Sequence, residues 1–142
     1  MSNLKAFLNE NAIKRENVKV VVSDRFVDEN KQPIEWELRV IDNNEYEELV
    51  SECRKRVPVA GDSRQTTVET DVNKLVDLLI STCTVYPNLN DVDLQESYGT
   101  IGDIATVKAM LTPGEYATLS STIQQCLGFG VDMSDKVKEA KN

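Results

Sequence analysis

The chain has 142 residues, with 24 Asp plus Glu against 16 Lys plus Arg, giving a net charge of −8, and it contains no histidine. Its length, 40% hydrophobic residues and 28% charged residues fit one soluble globular domain and exclude wholesale disorder. The missing imidazole removes His-based acid–base catalysis and His-ligated metal sites, and the anionic balance argues against nucleic acid as the main partner.

At the N-terminus, Ser2 is placed to cap a short helix that carries Leu4, Phe7 and Leu8 on one face and ends before Asn9-Glu10-Asn11. So short a helix is marginal alone and must dock on the domain or on a partner. The segment lacks the apolar core of a secretory signal, and no apolar run approaches the roughly 20 residues that cross a bilayer, so a cytosolic chain without membrane contact is expected. The β-branched run Val18-Lys19-Val20-Val21-Val22-Ser23 reads as a strand. Turn-forming Asp28-Glu29-Asn30-Lys31-Gln32-Pro33 leads into a second, where Ile34, Trp36, Leu38 and Val40 alternate with Glu35, Glu37 and Arg39. Period two predicts an antiparallel hairpin with one wet face.

Helical periodicity takes over next. Asp42 with Glu45 has capping-box spacing, and Tyr46, Leu49, Val50, Cys53 and Val57 follow at helical intervals. The pattern predicts a helix with Arg54, Lys55 and Arg56 in its last turn, stopped by Pro58. Residues 60–67, small and polar around Gly61, read as a loop. Val72, Leu75, Val76, Leu79, Ile80 and Cys83 predict a more apolar, central helix, broken at Tyr86-Pro87-Asn88. A short helix from Asp91 to Tyr98, capped by Asn90 and closed by Gly99, follows. Ile104, Val107, Met110 and Leu111 suggest another. Thr112-Pro113-Gly114-Glu115 announces the last, with Tyr116, Leu119, Ile123, Cys126 and Leu127 on its apolar face. The expected fold is therefore α+β, an N-terminal antiparallel hairpin followed by a mostly helical region in one compact domain over residues 1–130. Residues 131–142 read as a polar C-terminal tail.

Chemistry is sparse. There is no phosphate-binding glycine loop, and the acidic stretches at 91–93 and 132–135 lack the glycine and closing glutamate of a calcium loop. Cys53, Cys83 and Cys126 are odd in number, contain no C-x-x-C pair and each continue a helical apolar series, which predicts buried small hydrophobes in a reducing compartment. No catalytic residue, metal site or cofactor is expected. What remains is a binding or assembly role for the short amphipathic helices, although most such stripes fill a domain's own core.

Three stretches carry a resemblance. They are Asp62-Ser63-Arg64-Gln65-Thr66-Thr67-Val68-Glu69-Thr70-Asp71-Val72-Asn73-Lys74, then Val85-Tyr86-Pro87-Asn88-Leu89-Asn90 with Leu94-Gln95-Glu96-Ser97-Tyr98-Gly99, and Met110-Leu111-Thr112-Pro113-Gly114-Glu115-Tyr116. In this order, and over roughly Leu4 to Phe129, the chain resembles the XkdN-like phage tail assembly chaperones. The resemblance implies a non-enzymatic protein of the host bacterial cytoplasm. It would bind the tape measure protein, a long and largely helical chain, before the tail tube polymerises around it. Tail tube protein enters as a further partner through a frameshifted, longer product, whose junction would fall in the polar tail.

Terminal elements are the most easily shared with a partner, so the expected contact residues are Leu4, Phe7 and Leu8 at one end and Tyr116, Leu119 and Ile123 at the other. The same stripes would permit a homo-oligomer. The rival reading is a structural tail or connector protein retained in the particle. An acidic nucleic-acid mimic ranks last, because the acids are interspersed with cations.

Overall fold

The three-stranded sheet at the centre of the fold is built on the hairpin. In the computed structural model, which describes residues 3–130, strand β1 (Val18–Val20) pairs antiparallel with β2 (Trp36–Leu38), Val18 opposite Leu38 and Val20 opposite Trp36. The alternation works as expected: Trp36 and Leu38 are buried at 2% and 1% exposure, while Glu35 is exposed. The first strand is shorter than its β-branched run, but Val22 and Ser23 beyond it are still buried. A third strand, β5 (Thr84–Tyr86), pairs with the other edge of β2, giving the order β1-β2-β5. The sequence pattern points here only to a helical series that ends at Cys83 and a break at Tyr86-Pro87-Asn88, not to a strand. Three residues are too few for a period, and their pairing with β2 is non-local.

Helix α1 (Asn43–Glu52) starts where expected, with the Asp42 carboxylate accepting the Glu45 backbone N–H at 2.9 Å. The box is half made, because the Glu45 side chain takes Arg39 at 3.0 Å instead. The C-terminal end departs from the reading. The helix stops at Cys53, and Arg54, Lys55, Arg56 and Val57 belong to strand β3 (Arg54–Val59), not to a last helical turn. Pro58 disfavours helical geometry at Val57, and β-branched Val57 and Val59 suit the extended state that a partner strand can satisfy. That partner is β4 (Asp62–Thr70), which takes up most of the loop expected at 60–67 and runs three residues beyond it. Only Ala60 and Gly61 form the turn, Gly61 with φ +85°, and the pairing slips between Pro58 and Val59 before continuing from Pro58–Thr66 to Arg54–Thr70.

Helix α2 (Val72–Cys83) is central: Leu79, Ile80 and Cys83 are fully buried and Leu75 and Val76 pack on the core, whereas Val72 faces out. Asp71 caps it through the Lys74 N–H at 3.2 Å. Helix α3 (Val92–Tyr98) is capped by Asp91, whose carboxylate accepts the Leu94 N–H at 3.0 Å, not by Asn90, which stands one residue too early. Gly99 closes it with φ +64°, where a side chain would be strained. Helix α4 (Asp103–Met110) and helix α5 (Pro113–Cys126) complete the layer over the sheet. The Thr112–Glu115 capping box and Pro113 in the first turn stand as read.

The core joins Trp36 and Leu38 of the sheet to Ile80, Val107, Leu119 and Ile123 of three helices. Each such side chain contributes roughly 1.5–3 kcal/mol on burial. The buried Thr106 hydroxyl is satisfied, donating to the Gly102 carbonyl at 2.7 Å and lying 2.7 Å from Thr100 Oγ1. Cys53 and Cys83 are buried, Cys126 is half-buried, and all three are free thiols. Burial pushes the Cys83 thiol up to about 11, far from nucleophilic use. The tail read at 131–142 and the cap read at Ser2 lie outside the described residues.

Candidate interaction surfaces

The two terminal stripes meet different fates. The N-terminal segment forms a short 3-10 helix, Asn3–Phe7, that contains no buried residue. Leu4 is 64% exposed, Phe7 79% and Leu8 40%, and Ile13 beyond them is 97% exposed. Its 3-10 geometry follows from its length: too few residues are available to repay the nucleation of an α-helix.

The C-terminal stripe is corrected by burial. Leu119 and Ile123 are 0% and 1% exposed and lie in the core cluster, so they hold α5 to the domain and present no surface. Amphipathic spacing marks a buried face without telling what buries it. Tyr116 is half-buried. Its hydroxyl donates to Asp77 Oδ1, while Lys108 Nζ lies 2.9 Å from Asp77 Oδ2 and 5.9 Å from the Tyr116 ring centroid. This triad ties α5, α2 and α4 together. Burial, then the hydrogen bond to Asp77, holds the phenol well above its usual range, so it stays neutral. Tyr116 is thereby a structural joint with one partly exposed edge.

The corner between α4 and α5 is pinned electrostatically to the segment after β1. Arg25 donates to Glu115 Oε1 at 3.0 Å and to the Met110 carbonyl, and its guanidinium lies 5.1 Å from the Phe26 ring centroid. Glu115 also accepts the Thr112 N–H at 2.9 Å. Hydrogen bonds from Ser23, from the Thr112 backbone and from Arg25 lower the Glu115 carboxyl to about 2. A depressed carboxylate contributes stability that is present above its ordinary value of 4.5 and is lost as pH falls toward about 2. Glu115→Gln is therefore expected to lower the melting temperature near neutral pH, and the gap to wild type should close on acidification to about pH 2. Melting curves across that window check this, and a gap independent of pH would contradict it.

Sequence reasoning missed two further surfaces. An apolar cleft of about 180 Å³ lies between the sheet and the α3–α4 side, lined by Phe26, Ile34, Trp36, Tyr86, Tyr98 and Met110 among others. No local pattern could reveal it, because its walls come from four separate stretches. The second is the β3–β4 ribbon, whose signal was present in the β-branched Thr66, Thr67, Val68 and Thr70. Among the described residues no three Cys, Asp or Glu side chains converge as a metal-binding group, and no helix is long and apolar enough to cross a membrane.

Comparison with known proteins gives these surfaces their context. Residues 4–141 match the family described as "Phage XkdN-like tail assembly chaperone protein, TAC". The chain belongs to the phage XkdN-like tail assembly chaperone family. It is 30% identical over 141 residues to the phage-like element PBSX protein XkdN of Bacillus subtilis (strain 168), covering 99% of this chain and 94% of that protein. It is equally 30% identical to the uncharacterized protein YqbN of the same organism, covering 99% of this chain and 93% of that one. The crystal structure of YqbN superposes with a TM-score of 0.73 at 25% identity, over 91% of this chain and 98% of that one. The α+β architecture is thus shared with YqbN at 25% identity. The expected resemblance is borne out over the whole chain.

Proposed function

We propose that this XkdN-like chaperone binds the tape measure protein during tail morphogenesis, in the host cytoplasm and without catalysis. The reading rests on family membership together with one structural observation: the N-terminal segment sets Phe7, at 79% exposure, and Leu8 outside the core. A long amphipathic helix exposes an apolar stripe that aggregates unless covered, and a short helix with an apolar face is a suitable cover. Tail tube protein is a second proposed partner, recruited once the tape measure is held. The chaperone leaves before the particle is complete.

Co-expression with the cognate tape measure protein and affinity pull-down tests the role. Association is expected at both low and high salt, because the proposed contact is apolar. Failure to associate under either condition contradicts it. Mass spectrometry of purified particles is expected to find the tape measure protein without this chain. Stoichiometric retention would instead favour a structural tail component.

A further inference from the structure

The ribbon formed by β3 and β4 stands apart in both packing and charge. Its strands pack mainly on each other, and residues 64–70 of β4 are all exposed. An isolated two-stranded ribbon is at best marginally stable in water, so this one presents a surface without contributing much of a core. The chain carries a net charge of −8, yet the ribbon holds Arg54, Lys55, Arg56 and Arg64 against only Asp62 and Glu69.

The register sorts these charges by face. Directly opposed residues share a face and successive residues alternate. One face therefore carries Arg54 with Thr70, Arg56 with Val68, and Pro58 with Thr66, and it contains no carboxylate. The other carries Lys55 opposite Glu69 and Val57 opposite Thr67, and Lys55 there lies 4.0 Å from Asp71. Cation and anion are matched on the second face and unmatched on the first. Among the described residues Arg56 reaches only the Thr66 hydroxyl, at 3.3 Å. Neither Arg54 nor Arg64 makes an ion pair among the described residues. Arg64 lies in the irregular stretch of β4 next to the turn, where no pairing assigns it to either face, and adds a cation near the tip of the ribbon.

We infer that the arginine face of the β3–β4 ribbon is a docking surface for an acidic segment of a partner polypeptide. Guanidinium groups form bidentate pairs with carboxylates, and Arg54 and Arg56 stand two residues apart on one strand, roughly 6.8 Å, a spacing that carboxylates on an extended chain or on successive helical turns can meet. Exposed Val68, at 53% and directly opposite Arg56, and Pro58, two residues further along β3, add apolar contact that a purely ionic site would lack. A polyphosphate backbone fits less well, because the strongly acidic remainder of the chain would repel it over the whole length of a nucleic acid. This surface is independent of the apolar N-terminal contact proposed above, and either can fail without the other.

The test uses the full chain and a fluorescein-labelled peptide of repeated Glu-Ala units long enough to span β3, read by fluorescence anisotropy. Saturable binding at low salt is expected, weakening at high salt and absent for a Gln-Ala peptide. The triple change Arg54→Gln, Arg56→Gln, Arg64→Gln should weaken it about tenfold or more. The corresponding Arg→Lys triple should retain more binding than the Gln triple, and Lys55→Gln on the opposite face should leave affinity unchanged. Circular dichroism of the variants confirms that the domain remains folded. Absence of binding, equal binding by the Gln triple, tighter binding of an oligothymidine than of the peptide, or peptide-free self-association lost in the Gln triple would each overturn the inference.

Discussion

Trp36→Ala is expected to lower the free energy of unfolding by about 3–5 kcal/mol. Trp36 is 2% exposed at the centre of the three-stranded sheet, with its ring centroid 6.5 Å from that of Phe26 at a tilt of 50°. It sits opposite Val20 and on the same side of β2 as Leu38, so truncation opens a cavity between sheet and helices at the point where the layers meet. Domains of this kind are stable by only about 5–15 kcal/mol, so the change removes a large share of the total. Urea denaturation would show it as a lowered midpoint with an unchanged slope. A loss below about 1 kcal/mol would mean that the hairpin is not integrated into the core as described.

Leu119→Ala and Phe7→Ser should separate stability from partner binding. Leu119 is fully buried on α5, and its truncation is expected to cost about 2–5 kcal/mol. Phe7 is 79% exposed, so its replacement should change stability by no more than about 0.5 kcal/mol while weakening capture of the tape measure protein. The two residues looked equivalent as members of amphipathic stripes, and only burial distinguishes them. Denaturant midpoints alongside pull-down yields for the same variants decide the matter. Loss of binding in a stably folded Leu119→Ala, with Phe7→Ser binding normally, would reverse the assignment.

The parts legible in the sequence were those fixed by local chemistry. Strict alternation from Ile34 to Val40 gave the second hairpin strand its buried face, and Thr112-Pro113-Gly114-Glu115 marked the start of α5 to the residue. The series from Leu75 to Cys83 marked α2 because five apolar side chains must turn toward one side. Misreadings arose where pairing is decided at a distance. Arg54 to Val57 extends a helical period on paper, and only the ladder with β4 makes the extended state preferable. Thr84 to Tyr86 is a strand because β2 has a free edge beside it. The same limit applies to function. Spacing located the amphipathic stripes, but whether a stripe is core, like Leu119 and Ile123, or surface, like Phe7, depends on which elements lie across from it.

The proposed role is to keep the tape measure protein soluble by covering its apolar helical surface. Its most direct test is the soluble fraction of the cognate tape measure protein expressed alone, with the wild-type chain, and with the Phe7→Ser, Leu8→Ser double variant. The wild-type chain is expected to move the tape measure protein from the pellet to the supernatant, and the folded double variant is expected largely to fail to do so. A tape measure protein equally soluble in all three conditions would contradict it.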